Sequence, residues 1–217
     1  MIRFEHLTKS FRVRGERKIV LDAIDMTLPS GKSVALLGRN GAGKSTLLQI
    51  VAGTMRADSG RVSSNGSISW PVGFGGSFHG ELTGAQNVRF LARIYGVDTE
   101  GLLAFVEDFA ELGKHFHMPV RSYSAGMRSR LTFGASMGIP FDTYLVDEVT
   151  AVGDAAFKRK SQAVFRERMK SAGALMVSHA MAELRQFCEA GAVLVEGKLY
   201  YFDDLEEAIA LHLEVMQ

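Results

Sequence analysis

The run SVALLGRNGAGKSTLLQIVAG, Ser33 to Gly53, constrains the fold more than any other part of the sequence. An apolar strand leads into a glycine loop, and the loop leads into a helix. Gly38 to Thr46 follows the pattern G-x-x-x-x-G-K-[ST]. Glycines are needed there because successive backbone N–H groups must turn inward around phosphate oxygens, along a path that side chains would block. Gly38, Arg39, Asn40, Gly41, Ala42, Gly43 and Thr46 are thus candidate phosphate-binding positions. Lys44 is placed to neutralise the terminal phosphates, and Ser45 to offer its hydroxyl to Mg²⁺. The anion would also lie at a helix N-terminus, where the dipole favours negative charge.

Strand and helix patterns alternate along the rest of the chain. IRFEHL and IDMTL alternate apolar and polar residues like half-buried antiparallel strands, whereas SVALLG, TYLVD and ALMVS are short apolar runs suited to a covered parallel sheet. Asn65-Gly66, between Val62 and Ile68, reads as a hairpin turn, and VLVEGKLYYF as a second hairpin. A short helix follows, capped by Asp203 or Asp204 with Glu206 or Glu207. From about 84 to 137 helical periods replace the strand signals. That stretch predicts an α-helical subdomain inserted into an α/β core of about 1–83 and 138–217.

A phosphate loop needs a second metal-binding strand and a group to position water. TYLVDE supplies Asp147, at the strand end, to hold Mg²⁺ through water, and Glu148, one residue on, as general base. After ALMVS, His179 is placed to reach a γ-phosphate from the sheet edge. YSAGM, Tyr123 to Met127, opens a helix with a serine and a glycine, a second anion-binding end. Since residues 38–46 already wrap one set of phosphates, this end makes sense facing the nucleotide of another copy.

Composition narrows the function classes. In 217 residues the formal net charge is +1, which argues against a protein held to nucleic acid by phosphate neutralisation. Arg12, Arg14, Arg17 and Lys18 form a local basic cluster, read as a solvated loop. One cysteine, Cys188, precludes an internal disulfide and is expected to be a buried structural thiol. No apolar run is long enough to span a bilayer, and MIRFEHLTKS lacks the features of a signal peptide. The chain is expected to be cytoplasmic and to reach a membrane only through a partner.

Taken in order, these motifs resemble those of the nucleotide-binding subunits of ABC transporters over essentially the whole chain. GRNGAGKST resembles the Walker A loop, YSAGM the signature usually written LSGGQ, TYLVDE the Walker B strand, AVGD the D-loop ending in Asp154, and VSH the switch histidine. The resemblance implies a P-loop, RecA-like α/β core with N-terminal antiparallel strands and an inserted helical subdomain. It implies Mg-ATP as the nucleotide, Phe11 of LTKSF stacked on adenine, and a head-to-tail dimer in which Ser124 and Gly126 contact the γ-phosphate held by the other copy.

The chain departs from the pattern at two places. The signature lacks its first glycine and its glutamine, and PVGFGG stands where the family has the Q-loop glutamine, Gln86 lying too far on to replace it. The stretches SISWPVGFGGSFHGELTGAQNVRFLARIYG and GIPFDTYLVDE resemble the branch that exports capsular polysaccharide and related O-antigen or teichoic-acid polymers. That branch implies a polytopic transmembrane permease as partner, a polysaccharide as cargo, no nucleic acid, and a peripheral position on the cytoplasmic face of the inner membrane. Trp70 to Tyr95, with Phe74, Phe78 and Leu82, is the expected docking region. The competing reading is a soluble ATPase of the same type acting on nucleic acid or ribosomes. A guanine-nucleotide switch would need an N-K-x-D motif, which does not occur.

Overall fold

The computed structural model describes residues 1–13, 15–72, 78–147 and 155–216. The chain divides into two units: Met1–Pro71 with Phe141–Glu148 and Met169–Gln217, and Val72–Pro140 with Val149–Arg168.

Two sheets form the first unit. In one, β1 (Ile2–Val13) pairs antiparallel with β2 (Glu16–Leu28) and with β4 (Ser59–Ser64). The other runs β5 (Ile68–Val72), β6 (Thr143–Asp147), β7 (Gly173–Val177), β3 (Ser33–Leu37), β8 (Ala190–Val195), β9 (Lys198–Phe202). β6, β7, β3 and β8 are parallel, and every residue of β3 and β7 is buried, as befits strands covered on both faces. β8 and β9 form the expected C-terminal hairpin.

Helix α1 (Lys44–Val51) drives Leu47, Leu48, Ile50 and Val51 into a core shared with Phe4, Leu21, Leu36, Leu145 and Leu194. Burial of each large aliphatic side chain contributes roughly 1.5–3 kcal/mol, so the glycine loop ahead of α1 is anchored from both ends. α6 (Met181–Phe187) and α7 (Leu205–Met216) follow. Asp204 caps α7 by accepting the Glu206 N–H at 2.8 Å, whereas Asp203 is occupied by Lys32 and Tyr201.

Two local expectations fail for reasons that lie outside the local sequence. Asn65-Gly66 does not close a hairpin: β4 belongs to the first sheet and β5 to the second, so the pair marks a crossing between sheets. Asp142 directs that crossing, its Oδ2 accepting both the Ser67 N–H and the Ser67 hydroxyl at 2.7 Å, while the Asn65 side-chain oxygen accepts from the N-terminal ammonium. The basic cluster is not a loop either. β1 and β2 continue through it, with Phe11 opposite Lys18 and Arg12 opposite Arg17, and Gly15 turns the hairpin at φ 88°. Arg14 lies outside the described residues.

Helices α2 (Gly84–Tyr95), α3 (Thr99–Ala110), α4 (Ala125–Gly138) and α5 (Ala155–Arg168) make up the second unit. Thr83 and Gln86 form a reciprocal capping box on α2, and Asp98 caps α3 through the Gly101 N–H. Phe109 is the packing centre, its ring centroid 5.6 Å from Phe133 and 5.1 Å from Phe157. α3 and α4 approach closely at Gly138, where a Cβ would lie 2.4 Å from a Leu102 methyl.

Cys188, between α6 and β8, is buried as expected. Burial, and secondarily the charge of Glu189, push its thiol up to about 12. At pH 8 the sulfur is therefore protonated, and the folded protein should resist iodoacetamide until urea unfolds it. Rapid alkylation of the native chain, followed by mass, would contradict this burial.

Candidate functional site

The glycine loop leaves β3 at Leu37 and enters α1 at Lys44, and its course is dictated by close packing. Gly38 and Gly43 have φ of 148° and 113°, which L side chains rarely adopt. A Cβ on Gly38 would meet the Leu194 carbonyl at 2.6 Å, and one on Gly43 would meet the Val20 Cγ1 at 2.2 Å. The loop is thus pressed against β8 and β2. The Lys44 ammonium curls over it, donating to the Gly38 carbonyl at 2.7 Å and the Arg39 carbonyl at 3.2 Å. Cation and loop amides together form a cradle suited to phosphate oxygens.

Around this cradle lies a cavity of about 700 Å³ contained in the first unit. Asn40, Gly41, Gly43, Lys44, Ser45 and Thr46 line it from the loop and α1, and Asp147, Val177 and His179 from the strand ends. Phe11, Val13, Lys18 and Val20 line it from the β1–β2 hairpin. The candidates Lys44, Ser45, Asp147, His179 and Phe11, drawn from four parts of the chain, thus face one space. Ser45 and Asp147, the pair read as metal-binding, are both on its wall. Gly38, Arg39 and Ala42 do not line it, and the Ala42 N–H donates to the Arg39 carbonyl at 3.0 Å. β7 ends at Val177, so His179 stands two residues beyond the strand, exposed at the cavity mouth. Glu148 and Asp154 lie outside the described residues.

Lys18 and Val20 were missed by sequence reasoning. Their signal is cross-strand register: Phe11 and Lys18 are opposite one another, so a residue chosen as a stacking ring brings a lysine to the same face. Behind the loop, His212 of α7 is buried. Burial, then the charge of Lys44, hold its imidazole below the usual range.

Ser124 and Gly126 occupy a different cavity, about 370 Å³, within the second unit. Ser124 is the N-cap of α4, its Oγ accepting the Met127 N–H at 3.2 Å, and it is exposed. Leu112, His115 and Arg130 share the cavity, with the Arg130 guanidinium stacked 4.4 Å over the Phe157 ring. A helix N-terminus, a serine and a guanidinium make an anion-favouring surface, tempered by Glu111 on the same wall. Tyr123, just before it, is buried, and burial raises its phenol above the usual range.

Gln86 is engaged in the α2 cap, its Oε1 accepting the Thr83 N–H at 2.9 Å. It is not a stand-in for the absent Q-loop glutamine, and residues 73–77 at that position, Phe74 among them, lie outside the described residues. Phe78 and Leu82 are half-buried. The exposed apolar residues of the expected docking region are Phe90, Ile94 and Tyr95, clustered along the second half of α2.

Comparison with known proteins agrees with this arrangement. The family described as ABC transporter matches residues 21–151. The chain is 51% identical over 212 residues to a polysialic acid transport ATP-binding protein, KpsT, of Escherichia coli, covering 96% of this chain and 95% of the relative. It is 42% identical to the capsule polysaccharide export ATP-binding protein CtrD of Neisseria meningitidis serogroup B, covering 96% of each. A solved structure of an ATP binding subunit of an ABC transporter superposes with a TM-score of 0.81 at 20% identity over the full length of both chains, which shows the shared fold.

Because the Gly43 Cβ position is filled by Val20, Gly43→Ala must push the loop outward at a strain cost of about 1–3 kcal/mol. The expected result is at least a roughly tenfold loss of ATP affinity by calorimetric titration, with the far-UV spectrum unchanged. Unaltered affinity would mean that the loop path does not define the site.

Proposed function

The chain belongs to the ABC transporter family, and on that premise we propose that it is the ATP-hydrolysing subunit of an exporter moving capsular, or closely related cell-surface, polysaccharide across the inner membrane. The observation that carries this reading is the single cavity uniting the glycine loop, Lys44, Ser45, Asp147, His179 and Phe11, on a chain half identical to a polysialic acid transport ATP-binding protein. These relatives favour export over the nucleic-acid reading.

In this reading the loop amides of residues 38–46 and the Lys44 ammonium hold the β- and γ-phosphates and offset the charge that shifts between them during hydrolysis. Phe11 stacks on the adenine. Ser45, through its hydroxyl oxygen, and Asp147, through water, would hold Mg²⁺, which would supply positive charge to offset that of the phosphates. Glu148 takes the proton of the attacking water, and His179 at the cavity mouth hydrogen-bonds the γ-phosphate.

Ser124 and Gly126, in their separate cavity, act on the nucleotide of a second copy paired head to tail, with Asp154 at the same junction. The cassette consists of a core, about 1–83 and 138–217, and a helical subdomain, about 84–137. Among the described residues no helix is long and apolar enough to cross a membrane. Force must therefore pass to a polytopic permease through a docking surface, with the subunit peripheral on the cytoplasmic face. Phe90, Ile94 and Tyr95, between 41% and 57% exposed on α2, fit an apolar contact of that kind.

A strain whose only copy carries Lys44→Ala should still synthesise the polymer but retain it inside the cell, and the purified variant should fold yet lose ATP turnover by at least about a hundredfold. Normal surface polymer with a folded, stably expressed variant would overturn the export assignment. Near-normal turnover would overturn the site itself.

A further inference from the structure

Ser124 is exposed, yet the residue before it is among the most firmly held in the second unit. Tyr123 is only 5% exposed, and its hydroxyl donates to the His115 carbonyl at 2.6 Å. The same oxygen packs against Gly84, the first residue of α2. The fit is close: a Cβ on Gly84 would lie 2.5 Å from that hydroxyl.

The neighbouring backbone makes the same connection repeatedly. The Val120 N–H donates to the Leu82 carbonyl and the Arg121 N–H to the Gly80 carbonyl, both at 2.9 Å, and the Arg121 guanidinium pairs with Glu81 at 2.9 Å. Thr83 and Pro119 form an isolated β-bridge. The 79–83 segment is in turn fixed to α2 by buried Asn87. Its amide donates to the His79, Leu82 and Thr83 carbonyls at 2.9–3.3 Å, and its oxygen accepts the His79 N–H at 2.8 Å. An unbroken chain of hydrogen bonds therefore runs from α2 through 79–83 and 119–123 to the peptide bond that carries Ser124.

We propose that Tyr123 is a positioning residue for Ser124, its hydroxyl fastening the segment before the serine to the N-terminus of α2 so that the two move as one body. This inference rests on the trans role of Ser124 given under Proposed function. A leucine, the usual residue at this place in the signature motif, fills an apolar space but cannot donate to His115. Here the tyrosine supplies that bond while its oxygen packs on Gly84, and a displacement of α2 by a docked partner is delivered to the serine.

Tyr123→Phe removes the oxygen and keeps the ring. The test uses the full chain in the Glu148→Gln background, where ATP is expected to bind without being cleaved. Fluorescent-ATP titration of the monomer should match the parent within about twofold, because the ATP cavity lies in the other unit. Sedimentation with ATP and Mg²⁺ should show the dimer dissociation constant raised about tenfold. Asp98→Ala, which removes the α3 cap in the same unit without touching residue 123, serves as a control for plain loss of stability. Dimerisation of Tyr123→Phe equal to the parent overturns the proposal. So does an equal weakening by Asp98→Ala at a matched fall in melting temperature. If the parent itself stays monomeric with ATP bound, the head-to-tail reading under Proposed function fails, and the inference falls with it.

Discussion

A triphosphate carries several charges in a small volume, and a protein that holds it with backbone amides must bring several N–H groups to one point while keeping every side chain out of the way. In this chain that requirement is met by pressing the loop against its own scaffold: the Cβ positions of Gly38 and Gly43 are taken by Leu194 and Val20. Everything behind the loop serves to keep it there. Buried β3 feeds it from one side, and the apolar face of α1 anchors it from the other. The parallel strands β6 and β7, beside β3, bring Asp147 and His179 to the same end of the sheet, where the cavity opens.

The division of chemistry between the two units follows from the same requirement. A loop that surrounds the phosphates from one side leaves their other side open, and no second helix N-terminus lines that cavity among the described residues. Ser124 and the N-terminus of α4 have the complementary character but stand in the second unit with a cavity of their own. Two incomplete surfaces of matching chemistry, each fixed to its own core, are what a head-to-tail pair of copies needs. In the proposed pairing, hydrolysis would be conditional on assembly, and α2 would give a docked partner access to the serine.

Much of the site was legible because its signals are short-range. Strand, glycine loop and helix are contiguous, and Asp147 and His179 announce themselves at the ends of apolar runs. The parallel core and the helical insert followed from periodicity alone. Long-range contacts decided what was misread. Asn65-Gly66 has the same local chemistry in a hairpin as in a crossing between sheets, and the choice is made by Asp142, 75 residues from Ser67. Lys18 reaches the cavity through its register with Phe11, which composition cannot reveal. The reason for a tyrosine before Ser124 appears only when Gly84 and His115 are brought around it. Glu148 and Asp154, outside the described residues, rest on motif position alone.

If one working site is built from two copies, two chains with different defects should complement each other when mixed. Lys44→Ala spoils the cradle of its own copy, and Ser124→Arg spoils the face it offers to the other. Each variant alone should be inactive, but an equimolar mixture contains pairs in which the intact cradle of one chain meets the intact serine of the other. Recovery of ATP hydrolysis in the mixture, measured as phosphate release at rising total protein, is expected. A mixture as inactive as its components, with both chains folded and shown to associate, would contradict it, as would full activity of Ser124→Arg on its own.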